Sequence, residues 1–254
     1  MTNLRSLVAA NRAVLLIDSA STRIHVGLWR TGSAASPLER PERERLEAPL
    51  PEAIWHESEQ EAGIAVFAGV EAVLARAGIG IADLGALVFC EGPGSILGIR
   101  TAAMALRIWS NAAGRALPAF SYRSLELVAH ELRRSGIPAP FAVIADARRN
   151  SWHRVGVSED GVIGPLRRVP ADALAGLGGR LFTPAGFRSW AQPPDEVMSI
   201  PYALPDLWRL QADAGLLRSA PRPDAFLHEE VTYAAWTPQI HQAAAGHPGR
   251  RART

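Results

Sequence analysis

The strongest constraint on how this chain can fold is a pattern that occurs twice. Ala13-Val14-Leu15-Leu16-Ile17-Asp18 is a β-rich run ending in an acid, followed by the polar turn Ser19-Ala20-Ser21-Thr22 and an alternating run, Ile24-His25-Val26-Gly27-Leu28-Trp29. Phe141-Ala142-Val143-Ile144-Ala145-Asp146 repeats it, with the turn Ala147-Arg148-Arg149-Asn150 and the return run Ser151-Trp152-His153-Arg154-Val155-Gly156-Val157. Apolar runs bounded by polar turn residues predict two β-hairpins, each with a carboxylate at one corner. Val26-Gly27-Leu28 and Val155-Gly156-Val157 follow their acids at nearly equal spacing, so the halves read as a duplicated unit. Asp18 and Asp146 each have two readings: a cap that bonds the amides of its own turn, or a carboxylate that holds the waters of a bound Mg²⁺.

Between the hairpins, Gly92-Pro93-Gly94-Ser95-Ile96-Leu97-Gly98-Ile99-Arg100 follows the apolar run Ala86-Leu87-Val88-Phe89-Cys90 and opens a helical pattern. The order is strand, glycine loop, helix N-terminus. Glycine permits positive φ and close backbone approach, Pro93 fixes one φ, and Ser95 suits an N-cap. Unpaired amides at such a terminus fit an anion or a partner, and a capped tight turn with nothing bound fits as well. The spacing is not that of a GxxxxGK[ST] phosphate loop, and the chain contains no lysine.

Helical spacing predicts a helix over Trp55 to Ala77, with Val66, Val70, Val73 and Leu74 on one stripe and Ile64, Phe67 and Glu71 on another. Gly63 and Gly69 weaken it as a free helix and favour close packing. A second amphipathic helix runs from Ser95 to about Ala113, with Ala102, Ala103 and Ala105 permitting close approach, and a third from Tyr122 to Arg134, capped by Ser121. Pro37 to Pro51 reads as loop plus an edge strand around Arg43 to Ala48. Leu166 to Val169 and Arg180 to Thr183 read as strands, Ala171 to Leu177 as a short helix, and Pro184 to Leu210 as an irregular, partly packed cap. This divides the chain into a lobe over 1–115, a smaller lobe over 116–238 and a basic tail over 239–254.

Composition excludes several classes. The chain has 254 residues, 48% apolar and 20% charged, enough for two packed lobes. The apolar run Leu7 to Ile17 is interrupted by Asn11 and Arg12 and is too short to span a bilayer, so a cytoplasmic protein is expected. One cysteine, Cys90, allows neither an intrachain disulfide nor a cysteine zinc site. The seven histidines include no pair four apart, so two imidazoles cannot share one helix face around a metal; His56 beside Glu57 and Glu59 is the nearest approach to a cluster. No Ser-His-acid arrangement with a recognisable spacing appears. The charge of +2 rests on arginine alone.

Asp18-Ser19-Ala20-Ser21, then Gly92-Pro93-Gly94-Ser95-x-x-Gly98-x-Arg100, then Asp146-Ala147-Arg148 resemble, in that order, the TsaB family, the YeaZ-type glycoprotease-like proteins of bacterial tRNA modification. Pro223-Asp224-Ala225-Phe226-Leu227 and Trp236 extend the resemblance over about residues 13 to 238. It implies an α/β, two-lobed actin/Hsp70/sugar-kinase (ASKHA, RNase H-like) fold. It also implies a non-catalytic scaffold or activating subunit of the complex that makes threonylcarbamoyladenosine in tRNA, with no activity of its own. The implied partners are a TsaD-like transferase and a TsaE-like ATPase, with a homodimer possible in isolation and tRNA reached indirectly through the complex. The implied partner site is Gly92, Pro93, Gly94, Ser95, Gly98, Arg100 and Ala103, and a vestigial nucleotide site falls on Asp18, Ser19, Ser21, Asp146 and Arg148. No resident metal or tightly bound cofactor is implied, and ATP with Mg²⁺ only at a subunit boundary. The chain departs from the usual Gly-Pro-Gly-Ser-Phe-Thr-Gly of that family at Ile96 and Leu97, and has Ala102 where Gly is common. The alternative is a small-molecule kinase or ATPase of the same architecture, against which stand two hairpin turns without glycine and Glu91, an acid placed to repel phosphate.

Overall fold

The computed structural model describes residues 1–31, 49–175, 179–194 and 196–226. A short helix, α1 (Leu4–Ala10), precedes the first hairpin; Asn3 caps it by accepting from the Ser6 amide at 2.8 Å. β1 (Ala13–Asp18) then pairs antiparallel with β2 (Ile24–Arg30), with Asp18 opposite His25. β2 pairs antiparallel with β3 (Ile54–Ser58). Helix α2 (Ala62–Ala77) crosses to β4 (Ala86–Gly92), parallel to β1, and α3 (Ile96–Ala112) crosses to β5 (Ala119–Arg123), parallel to β4.

α4 (Ser124–Arg134) carries the chain to a second sheet that repeats this plan. β6 (Phe141–Asp146) and β7 (Ser151–Val157) form the second hairpin at the expected residues, and β8 (Arg167–Pro170) adds an antiparallel edge. After α5 (Asp172–Ala175), β9 (Arg180–Pro184) lies parallel to β6, and β10 (Val197–Ile200) lies parallel to β9. The strand orders β3-β2-β1-β4-β5 and β8-β7-β6-β9-β10 are the same path with the same strand senses. The duplication seen in two short motifs is therefore a duplication of connectivity. α6 (Leu204–Leu210) ends the second unit, and β11 (Arg218–Ser219) returns to pair with β5.

Strand alternation divides the core. Val14, Leu16 and Val88 face a cluster shared with the second lobe, which includes Leu125, Val128, Phe141, Val143 and Trp208. Leu15, Ile17, Leu87 and Phe89 face the opposite way, beneath Val66, Val70, Val73, Ala102, Ala103 and Leu106 of α2 and α3. Burial on both faces explains why β1 is apolar throughout rather than alternating.

Several boundaries differ from expectation. Trp55 to Ser58 is strand β3, not the start of a helix: Trp55 lies opposite Gly27, whose missing side chain leaves room for the indole, since a Cβ there would sit 2.6 Å from the ring. Its edge-on contact with Trp29, centroids 5.3 Å apart, fixes the strand further. Ser121 is not a cap; it pairs with Phe89 and Arg218 inside β5, and the helix begins at Ser124, whose hydroxyl donates to the Pro93 carbonyl at 2.7 Å. β5 and β11 belong to the first sheet, so the lobe boundary lies beyond 115 and the C-terminal segment recrosses it. The 184–210 segment holds β10 and α6. The edge strand expected at 43–48, Leu227, Trp236 and the tail at 239–254 lie outside the described residues.

Candidate functional site

Both hairpin turns and the glycine loop meet at one place. They line a cleft of about 820 Å³ between the lobes, walled by Ser19 to Thr22, by Pro93 to Ile99 and by Ala145 to Arg148, with His153, Arg168, Arg188 and Trp190 on the second-lobe side. The sequence singled out the turns and the loop, and His153 only as part of the second hairpin's return run; Arg168, Arg188 and Trp190 come from the edge strand β8 and from a loop with no motif.

Asp18 is fully buried and does not face the cleft as a ligand. Its Oδ1 accepts from the Ala20 amide at 2.9 Å, the Asx cap. Its Oδ2 accepts from two phenols, a short bond from Tyr122 on β5 and one of 2.7 Å from Tyr202 in the second lobe. Burial, reinforced by the Asp18 charge, pushes both phenols well above their ordinary values, so they remain O–H donors. Burial likewise pushes up the Cys90 thiol, with Asp18 adding to it, so Cys90 is no nucleophile at neutral pH.

His25 is 2% exposed, with Nδ1 3.5 Å from Glu57. Burial lowers its pKa against the pull of Asp18 and Glu57, and burial lowers that of His130 also. A histidine held neutral when folded binds fewer protons than the unfolded chain once pH falls below the ordinary imidazole value of about 6.5. Stability is thus expected to be fully present near pH 7.5 and to decline as pH falls through 6.5 toward 5.5. Urea midpoints across that range check it, and His25→Gln together with His130→Gln should flatten the slope.

Asp146 accepts from the amides of Arg148, Trp190 and Ala191 at 2.5, 2.5 and 2.9 Å and from the Ser189 hydroxyl at 3.3 Å. Burial opposes its charge, but the amides of Ala191, Arg148 and Trp190 outweigh it and hold the carboxyl below its usual value. Arg148, exposed, sits over the Trp190 ring at 4.1 Å. Ser19 is buried at the cleft wall, and the Ser21 hydroxyl donates to the Arg23 carbonyl at 2.6 Å. Glu91 is not a free acid, because Arg123 donates to it at 2.8 Å.

The glycine loop is docked on the first turn. The Ser95 amide donates to the Ala20 carbonyl at 2.7 Å, and Ser95 caps α3 by accepting from the Gly98 amide at 3.4 Å. A Cβ on Gly94 would stand 2.4 Å from the Ala20 oxygen, and one on Gly98 would stand 2.3 Å from the Ser19 oxygen. Gly92, Pro93 and Gly98 are buried, and so is Ala103, which packs on the sheet and is not on the face open to a partner. Arg100 is exposed, its Nε 4.0 Å from Asp224.

A Mg²⁺-nucleotide fits these residues poorly. Asp18 has both oxygens engaged in the core, Asp146 is bound by three amides, and the loop glycines serve contact with the turn. Among the described residues no three His, Cys, Asp or Glu side chains converge as metal ligands, and no helix is long and apolar enough to cross a membrane.

The outer surface of α2 and α3 has the opposite character. Ile64 and Phe67 on α2 and Ile96, Leu97, Met104 and Ile108 on α3 are between 44% and 77% exposed. The helices pack together, with Phe67 edge-on to Trp109 at 5.6 Å. Isolated exposed apolar residues are ordinary, but six on two adjoining helices form a patch of the kind that marks an interaction site. The residues at which the loop departs from the TsaB pattern, Ile96 and Leu97, lie in it.

The family model described as TsaD, tRNA N6-adenosine threonylcarbamoyltransferase, matches residues 65–163, from α2 to the end of the second hairpin. No curated protein matches the chain. Among solved structures, YeaZ from Pseudomonas aeruginosa superposes with a TM-score of 0.52 at 20% identity, over 78% of this chain and 90% of that one. An uncharacterized protein with similarity to peptidase YeaZ, also from Pseudomonas aeruginosa, gives 0.57 at 18% identity, over 85% of this chain and 99% of that one. The repeated strand order and these two structural neighbours show that the chain has the two-lobed fold of the YeaZ structures, and its residues 65–163 are similar to the TsaD family.

Proposed function

We propose that this chain acts in the formation of threonylcarbamoyladenosine in tRNA as a non-catalytic partner of a TsaD-type transferase. The observation that carries this reading is the apolar face of α2 and α3, left open beside a cleft whose two hairpin-corner acids, Asp18 and Asp146, are tied up in structure. A wide recognition surface beside hairpin acids that serve the fold is suited to activating another subunit. The TsaD-family match across both helices is consistent with a partner that shares the fold and offers an equivalent face. A second copy of this chain would then compete for the same surface, and a TsaE-type ATPase would join the assembled pair. ATP and Mg²⁺ would enter only where two subunits meet.

Association with the host TsaD-type protein, followed by a reconstituted modification assay, tests the proposal. Leu97→Asp with Ile108→Asp is expected to weaken association by about tenfold or more, because buried charge at an apolar interface centre costs more than about 1.4 kcal/mol. Both side chains are more than half exposed, so thermal melting of the isolated chain should be unchanged. No association of the parent at micromolar concentration rejects the reading. ATP turnover by the chain alone, lost in Asp18→Ala that still folds, favours a kinase or ATPase instead.

A further inference from the structure

Among the described residues the second sheet carries a pair of guanidinium groups with no carboxylate against them. In the register of β7 and β8, Arg154 stands directly opposite Arg167. Like charges in that position repel and weaken the sheet unless something of opposite sign lies between them. Among the described residues neither guanidinium has an ion-pair partner, and the Arg154 Nε is buried without a hydrogen bond. Their neighbours His153 and Arg168, one residue along each strand, line the cleft, so alternation puts Arg154 and Arg167 on the far face of the sheet. The arrangement is built in: a Cβ on Gly156 would lie 2.6 Å from Arg154 Nη2 and 2.9 Å from Cζ, so the absence of a side chain there lets the guanidinium lie along the strand.

We infer that Arg154 and Arg167 form a binding site for phosphodiester groups of an RNA chain. The planar fork of arginine matches phosphate oxygens. Among the described residues β8 is the edge strand of its sheet, and the pair lies outside the enclosed cleft, which suits a polymer making several weak contacts more than a small ligand needing enclosure. Between Ala147 and Pro170 five arginines stand against two carboxylates, Glu159 and Asp160, which favours a polyanion. The choice of RNA rests on the tRNA reading above; the anion site does not. The chain would thus touch tRNA directly as well as through its partner.

Binding of the full chain to labelled tRNA over a salt series tests this. Arg154→Gln with Arg167→Gln should lower the slope of log affinity against log salt by about 1.4 to 1.8, and binding at ~0.1 M salt by about tenfold, for two lost phosphate contacts. Arg167→Gln alone, at an exposed position, should lose about half that slope and melt no lower than the parent, since a like-charge pair is removed. Gly156→Ala should weaken binding without changing the charge. Arg209→Gln, on α6 beside Asp206, should change nothing. An unchanged slope in the double variant, or an equal loss in Arg209→Gln, overturns the site. Displacement of tRNA by inorganic phosphate at matched ionic strength, or by polyglutamate, overturns the RNA assignment in favour of a small anion or an acidic protein. Partner association measured on the same variants separates the two ideas: its absence with this RNA pattern intact removes the transferase-partner reading and leaves the site standing.

Discussion

Asp18→Ala is expected to cost on the order of 3 to 5 kcal/mol, a large share of a single chain's stability, and to leave little folded protein at 37 °C. The carboxylate receives three donors in the core, the Ala20 amide and the Tyr122 and Tyr202 hydroxyls. Alanine leaves all three unsatisfied, and each buried orphan costs about 1 to 3 kcal/mol. Tyr202 lies in the second lobe, so the loss also unties the lobes from one another. Tyr202→Phe, which removes one donor and leaves the carboxylate its other two, should cost only about 1 kcal/mol. Urea unfolding of the three proteins orders them parent, Tyr202→Phe, Asp18→Ala. A carboxylate kept for magnesium would behave differently, since its removal commonly spares the fold and abolishes turnover. An Asp18→Ala protein that melts with the parent would return the acid to a catalytic role.

That contrast shows what local sequence could and could not say. The strand ending in an acid and the polar turn after it are local, and both hairpins form where their residues place them. The cap reading of Asp18 was legible for the same reason. Its two phenol partners were not, because Tyr122 and Tyr202 lie 104 and 184 residues away in sequence and only the fold assembles them. β3 and β5 were hidden differently. Neither is separated from the following helix by glycine or proline, so Trp55 and Tyr122 read as helical starts, and only pairing against Gly27 and Cys90 makes them strands. The placement of Ala103 failed on a matter of face: small residues at helical spacing suit either a partner or the sheet beneath, and here the sheet takes them. Arg154 stands in the return run of the second hairpin and Arg167 in a segment without a motif, and their meeting is a property of register.

Gly98→Ala is expected to produce the second large loss, and it separates a glycine loop made for phosphate from one made for packing. The added Cβ would stand 2.3 Å from the Ser19 carbonyl oxygen, a contact between backbone and backbone that no rotamer relieves. The turn cannot retreat, since Asp18 holds the Ala20 amide and the Ala20 carbonyl accepts from Ser95. The first turn of α3 must therefore lift, breaking the bond from Ser95 to Ala20, at a cost of about 2 to 3 kcal/mol in the range known for overpacked sites. Ile96 and Leu97 ride on that turn, so partner association should weaken together with the melting temperature. Gly63→Ala supplies the comparison: nothing lies within 4 Å of a Cβ there, and in the first turns of α2 the change should stabilise by up to about 1 kcal/mol. If Gly98→Ala instead melts with the parent and binds its partner normally while losing affinity for a nucleotide, the loop is a phosphate cradle after all. The packing geometry argues for the other result, because the space a phosphate would need beside Gly94 and Gly98 is already filled by the turn between β1 and β2.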